Sequence, residues 1–296
     1  MKLPKIAAAA ALLLSLVAAP ADAQPVKTLP GQKGCAAHYL VAVPGGANTA
    51  EGIPDFVPHG GNVFMTGILT RAGTAGEIQP LWVSYPSTPF ATTEYEKSKA
   101  GGLKRARTTV SKLANACPDA KFSFTGYSLG ADIAATLTSD IANGRGPINP
   151  ERVSGVALFA NPHQGGNGAV LSRGTSPDSR GSLGSLPDGY GVLGPRVLEI
   201  CRTDDLVCSM REAHRGLVSP AMRTNLAAGR VPLNEFNALF YSLGLQSFGV
   251  FRDIRSHGGY NLSQQREASN WIIQQSHAPF QIPVPELEPD VALGHA

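Results

Sequence analysis

Five short apolar runs punctuate the chain, and each is bounded by turn-forming residues. His38–Val43 (HYLVAV) closes on Pro44-Gly45-Gly46. Leu81–Tyr85 (LWVSY) stops at Pro86. Lys121–Thr125 (KFSFT) runs into Gly126, and Val153–Phe159 and Val197–Ile200 follow. Short runs rich in β formers between Gly and Pro read as buried strands. Between them the apolar period changes to that of a helix. Leu103, Ala106, Val110, Leu113 and Ala114 recur at helical spacing with Lys and Arg interposed, ending near Cys117-Pro118. Leu129, Gly130, Ala134, Leu137 and Ile141 give a second helix, stopped near Asn143-Gly144, and Ser263–Gln275 gives a last one. Strands alternating with helices predict an α/β fold, with a mostly parallel central sheet flanked by helices on both faces.

Two stretches do not fit a minimal sheet. Asn161–Gly194 is rich in Gly, Ser, Pro and Asp and reads as a long surface loop. Met210–Ile254 carries a helical stretch with Phe236, Leu239, Phe240, Leu243, Phe248 and Phe251. It reads either as a lid over an active site or as a packing insert, and the pattern does not choose. The N-terminus has its own pattern: Lys2 and Lys5, an apolar run from Ile6 to Ala19, then Ala21-Asp22-Ala23. That order is the signature of a secretory signal peptide cleaved after Ala23, and the run is shorter than the roughly 20 residues that span a bilayer. The expected organisation is a signal peptide at 1–23, one domain at 24–278 and a Pro-rich acidic tail at 279–296. Secretion, or residence in the cell envelope, follows from the leader.

Composition narrows the classes. With 43% hydrophobic and 16% charged residues, a sizeable core is expected. The formal charge is +3, of which Lys2, Lys5 and Asp22 contribute one. A balance so slight, with no basic patch interleaved with aromatics, argues against nucleic acid. Export permits disulfides, and the four Cys allow three pairings. Cys201 and Cys208 are close enough to close a local loop, which leaves Cys35 with Cys117. No Cys or His cluster has zinc spacing, so no metal is expected.

The chemistry concentrates at Gly126-Tyr127-Ser128-Leu129-Gly130, a G-x-S-x-G between a predicted strand and a predicted helix. A sharp turn there thrusts the serine hydroxyl out at the carboxyl edge of the sheet. Small flanking residues are required because a Cβ would strike the neighbouring strand or helix. The helix beginning behind the serine favours a developing oxyanion. A serine nucleophile needs a histidine base and an orienting acid, in the chain order Ser, acid, His for this class. Of the downstream histidines, His257 lies in a polar loop before the last helix, and His214 is the alternative. Asp204 and Asp205 sit in the short Cys201–Cys208 loop, and spacing alone does not separate them. Oxyanion donors are expected from the N–H of Leu129 and from the Pro44–Asn48 turn, with Gly46 first and Ala47 next.

Together these pieces make the chain resemble a cutinase-type serine esterase. The matching segments are Gly126–Ala131, the loop Cys201-Arg202-Thr203-Asp204-Asp205-Leu206-Val207-Cys208, and His257-Gly258-Gly259-Tyr260 before a last helix. The Cys-flanked Asp-Leu-Val-Cys loop is the most specific of them. The resemblance implies a cutinase-like α/β-hydrolase fold and a triad of Ser128, His257 and Asp205. It implies the pairs Cys35–Cys117 and Cys201–Cys208, hydrolysis of a carboxylic ester, and no cofactor. Three departures stand out: Leu129 occupies a position where many cutinases carry Gln, the glycine-rich Pro44–Asn48 turn stands where many relatives carry a serine whose hydroxyl also helps, and the 208–257 stretch is longer than in compact members. The apolar insert and Ala-rich leader are also similar to those of actinobacterial relatives, including PE-PPE-type hydrolase domains, which implies a lipid, cell-envelope or polyester ester as substrate. A monomer without a stable membrane span is expected. The rival readings are an acyltransferase of the same fold and a secreted binding protein that has lost catalysis.

Overall fold

A computed structural model describes residues 34–88, 93–210 and 256–281. The elements are β1 (His38–Val43), α1 (Gly61–Gly73), β2 (Ile78–Trp82), α2 (Tyr95–Ala116), β3 (Lys121–Tyr127) and α3 (Leu129–Ala142). There follow β4 (Val153–Phe159), β5 (Val170–Leu171), β6 (Val197–Ile200) and α4 (Leu262–His277). The strands form one six-stranded sheet in the order β2-β1-β3-β4-β6-β5, parallel at every pairing.

A parallel sheet is covered on both faces, so its strands are apolar on both sides. In β1, Tyr39, Val41 and Val43 join the core beneath α2 and α3, while Leu40 and Ala42 join the core beneath α1 and α4. That alternation turns a continuous apolar run into a two-sided strand. The predicted strands β1, β4 and β6 have the expected bounds, and β3 extends two residues beyond the expected end.

Three expectations change. The second strand is Ile78–Trp82 rather than Leu81–Tyr85. Pro80 sits inside it because β2 is an edge strand. The Val83 N–H faces β1 and bonds Ala42 O, and the Trp82 N–H faces outward to Asp55 O. By that parity the missing N–H of Pro80 lies on the outer side, where the ladder does not need it. Helix α1 was not expected at all: its face is mixed and glycines stand at both ends. Asn161–Gly194 is only partly a surface loop. It contains β5, and several of its polar side chains are buried, Asn161 Nδ2 donating to Tyr190 Oη (3.0 Å) and, beyond the segment, to Glu199 Oε1 (3.1 Å). All of the expected 210–254 insert except Met210 lies outside the described residues, as do the leader 1–23 and most of the tail. No helix among the described residues is long and apolar enough to cross a membrane.

The strand order places the site. From β1 the chain passes to β2 on one side, whereas β3 lies on the other. In a doubly wound sheet, such a switch point opens a crevice at the carboxyl ends of the strands. Val43 pairs with Gly126, Tyr127 with Phe159, and Phe159 with Ile200. The turns after β1, β3, β4 and β6 therefore leave the sheet at one level.

Candidate active site

Ser128 links β3 to α3 with φ 56° and ψ −120°, a conformation that L residues rarely adopt. Such strain costs about 1–3 kcal/mol and persists only where neighbours fix it. Two backbone bonds do so: the Ser128 N–H donates to Phe159 O (3.0 Å), and the Asp132 N–H donates to Ser128 O (3.0 Å). The flanking glycines are steric necessities. A Cβ on Gly126 would collide with the Gly130 carbonyl, and one on Gly130 with the carbonyls of Val43 and Pro44.

His257 precedes α4, whose first turn is closed by a reciprocal Asn261–Gln264 capping box. Its ring stacks on Tyr127 (centroids 5.2 Å apart, planes 25°), and the Tyr127 hydroxyl donates to the His257 carbonyl at 2.9 Å. The imidazole is thereby pinned over the elbow. Nε2 lies 2.8 Å from Ser128 Oγ, and Nδ1 lies 3.0 and 2.9 Å from the two oxygens of Asp205. A carboxylate only accepts, so the proton belongs on Nδ1. Nε2 then presents its lone pair to the serine hydroxyl. The ring keeps 23% of its surface exposed, whereas the Asp205 side chain has none.

Asp205 is held by the loop that carries it. The Val207 N–H donates to Oδ1 (2.9 Å) and the Tyr260 hydroxyl to Oδ2 (2.8 Å). Burial, followed by the nearby Asp205 charge, pushes the Tyr260 phenol well above its ordinary pKa, so it stays a donor. The Cys201–Cys208 bond closes the loop, and Cys35–Cys117 ties the start of β1 to the end of α2, the two pairings expected. Asp204, left open by spacing, turns the other way. It forms two contacts with Arg202 (3.0 and 2.9 Å) and accepts from Ser256 Oγ (2.7 Å). The Arg202 hydrogen bonds, aided by Ser256, hold its pKa down to about 2.

Of the oxyanion candidates, Leu129 opens α3, and the N–H groups of a helix's first turn have no upstream helical carbonyl. The Ala47 N–H is bound to the Ser87 carbonyl, whereas the Gly46 N–H has no protein partner among the described residues. Gly45 is confined by Tyr127, with which a Cβ would clash. His214 lies outside the described residues. Tyr127 and Tyr260 are the functional neighbours that sequence reasoning left without a role, although both lie inside motifs it had singled out. Among the described residues, no group of His, Cys, Asp and Glu is placed to hold a metal.

Ser128, His257 and Asp205 are thus joined by hydrogen bonds into one chain of side chains. Residues 49–221 match the Cutinase family model, a span that includes Ser128 and Asp205 and ends before His257. Carboxylesterase Culp1 of Mycobacterium tuberculosis is 25% identical over 199 residues, covering 67% of this chain and 79% of the relative. Probable carboxylesterase Culp7 of the same organism is 28% identical over 138 residues, covering 43% and 67%. Among solved structures, the catalytic core domain of acetyl xylan esterase from Trichoderma reesei aligns with a TM-score of 0.47 at 18% identity, covering 66% of this chain and 98% of that one. With more than half its length matched by the family model, the chain belongs to the cutinase family and is a carboxylic ester hydrolase of the α/β-hydrolase fold.

Proposed function

We propose that the chain is a secreted serine esterase in which Ser128 is the nucleophile, His257 the base and Asp205 the orienting acid. The substrates are lipid, cell-envelope or polyester esters. The observation that carries this reading is the placement of one imidazole between a strained serine hydroxyl at 2.8 Å and a buried carboxylate at 2.9 Å.

The steps follow from the geometry. Ser128 Oγ attacks the ester carbonyl as His257 Nε2 takes its proton. The tetrahedral oxyanion is received by the N–H groups of Leu129 and Gly46. Collapse breaks the bond to the alcohol, which leaves with the proton from Nε2, and the acyl group remains on Oγ. Water, deprotonated by Nε2, attacks the acyl carbon. The acid departs, and Oγ regains its proton. Asp205 stabilises the imidazolium in both halves. No metal or organic cofactor enters these steps. Export is supported by the leader pattern at 1–23 and by two buried disulfides. The ester class is supported by relatives named as carboxylesterases and cutinase.

The test is turnover of a p-nitrophenyl acyl ester series by the mature chain and by Ser128→Ala, with fluorophosphonate labelling of both. The variant is expected to lose about 10⁴-fold or more in kcat and to lose the label, with its circular dichroism unchanged. Undiminished turnover in a folded Ser128→Ala would refute the assignment.

A further inference from the structure

The segment between β4 and β6 encloses a cavity of about 130 Å³ that takes no part in the steps above. Gln164, Glu199, Ser176, Ser179 and Arg180 line it, together with the backbone around Gly165. Gln164 is 1% exposed, and neither Oε1 nor Nε2 has a protein hydrogen-bond partner among the described residues. Burying an amide without partners costs about 2–7 kcal/mol against water, so a polar occupant is called for.

The wall selects the kind of occupant. Gln164 needs both a donor, for Oε1, and an acceptor, for Nε2. A bare cation meets only the first need and shares the cavity with the Arg180 guanidinium. An anion shares it with the Glu199 carboxyl. Glu199 is bound by neutral donors, the Gly165 N–H (3.2 Å), Asn161 Nδ2 (3.1 Å) and the Tyr190 hydroxyl (3.2 Å). Burial pushes its pKa up, against the hydrogen bonds it receives. Hydroxyl groups donate and accept at once. At about 30 Å³ for each water-sized group, the volume admits about four of them.

We propose that this cavity is a binding site for a small uncharged polyol of two or three carbons, held by Gln164 and Glu199. The site is mechanically continuous with the acid loop. The Ser182 N–H donates to Val207 O (2.8 Å), the Met210 N–H donates to Arg180 O (2.8 Å), and Ser179 Oγ lies 3.0 Å from Ser209 Oγ. Val207 in turn donates to Asp205. Occupancy therefore stiffens the junction that carries the acid.

Glycerol is the probe, with sucrose at equal osmolality as a control too large for the cavity. The readout is the ¹⁵N–¹H spectrum of the full chain without substrate, so the outcome is independent of the catalytic assignment. The Gln164 side-chain amide is expected to shift saturably with glycerol, to show NOEs to glycerol protons, and not to respond to sucrose. Amide exchange at Ser182 and Met210 is expected to slow. Gln164→Leu is expected to weaken binding by about tenfold or more, the loss of roughly one good hydrogen bond. Should that variant fail to fold, the NOEs in the unaltered chain decide. A shift that is linear, or equal with sucrose, or a lack of NOEs at high glycerol, means the cavity holds water only and overturns the proposal.

Discussion

His38 predicts how the fold responds to acid. It lies in β1 at the amino edge of the sheet, away from the triad, and is 6% exposed. Its Nε2 is 2.9 Å from Ser123 Oγ on β3. Burial, with smaller repulsions from His277 and Lys121, lowers its pKa from 6.5 to about 4. An unfolded chain takes up the proton below about pH 6.5, whereas the folded chain takes it up only below about pH 4. Within that window the unfolded state binds more protons, so stability rises with pH. The contribution is fully present above 6.5 and is lost as pH falls toward 4. A gap of about 2.5 at about 1.36 kcal/mol for each pH unit gives roughly 3.4 kcal/mol, a large part of the 5–15 kcal/mol that typically holds a domain together. The assay is urea unfolding of the disulfide-intact chain from pH 7.5 to 4, compared with His38→Gln. Glutamine offers Ser123 a hydrogen bond but takes up no proton. The remaining histidines and the carboxylates are common to both proteins, so their titration cancels in the difference. The stability difference between the two proteins is expected to move by about 3 kcal/mol across the window, in favour of the variant at low pH. A pH-independent difference would refute the reasoning.

The two adjacent aspartates should part company. Asp205→Asn is expected to lower kcat about 10⁴-fold, as loss of the orienting carboxylate does in other triads, while Asp204→Asn lowers it less than tenfold; steady-state kinetics on one ester reads both. A buried cluster beside the elbow should matter for stability. Asp132 accepts from Tyr95 Oη (2.8 Å) and pairs with Lys99 Nζ (2.7 Å) and His163 Nε2 (3.2 Å). Burial alone would raise its pKa, but His163 and Lys99 outweigh it and hold the carboxyl low. Asp132→Ala strands those partners and is expected to cost about 3–5 kcal/mol in urea unfolding; a loss under 1 kcal/mol would contradict this account.

What the sequence discloses depends on how locally each feature is determined. The elbow is legible because its glycines answer to contacts within a few residues and one neighbouring strand. Strands β1, β3, β4 and β6 are legible because burial on both faces forces apolar runs. Strand β2 is misread because a proline inside it is harmless only at a sheet edge, and edge position is a property of the whole topology. Helix α1 escapes because its residues do not separate into an apolar and a polar face. The 161–194 segment looks solvated by composition, yet Asn161, Tyr190 and Glu199 satisfy one another across nearly forty residues of chain. No local pattern records such partnerships, and the unpartnered Gln164 is equally invisible without coordinates.

The choice between Asp204 and Asp205 shows where chain pattern yields to geometry. Both residues sit in a loop closed by Cys201 and Cys208, and a loop so short cannot direct two consecutive side chains the same way. One must turn outward, where Arg202 and Ser256 hold it charged at the surface. The other must turn inward, where a charge is tolerable only with donors supplied. The fold supplies a backbone N–H at Val207, a phenol at Tyr260 and the imidazole of His257. Asp204 is not idle in this arrangement. Its acceptance of Ser256 Oγ fixes the residue before His257, and Arg202 also donates to Gly259 O at 3.2 Å, just beyond it. The outward aspartate and its arginine thus brace both sides of the imidazole that the inward aspartate binds. Side-chain hydrogen bonds exposed to water are individually weak, which is why its removal should cost far less than removal of Asp205.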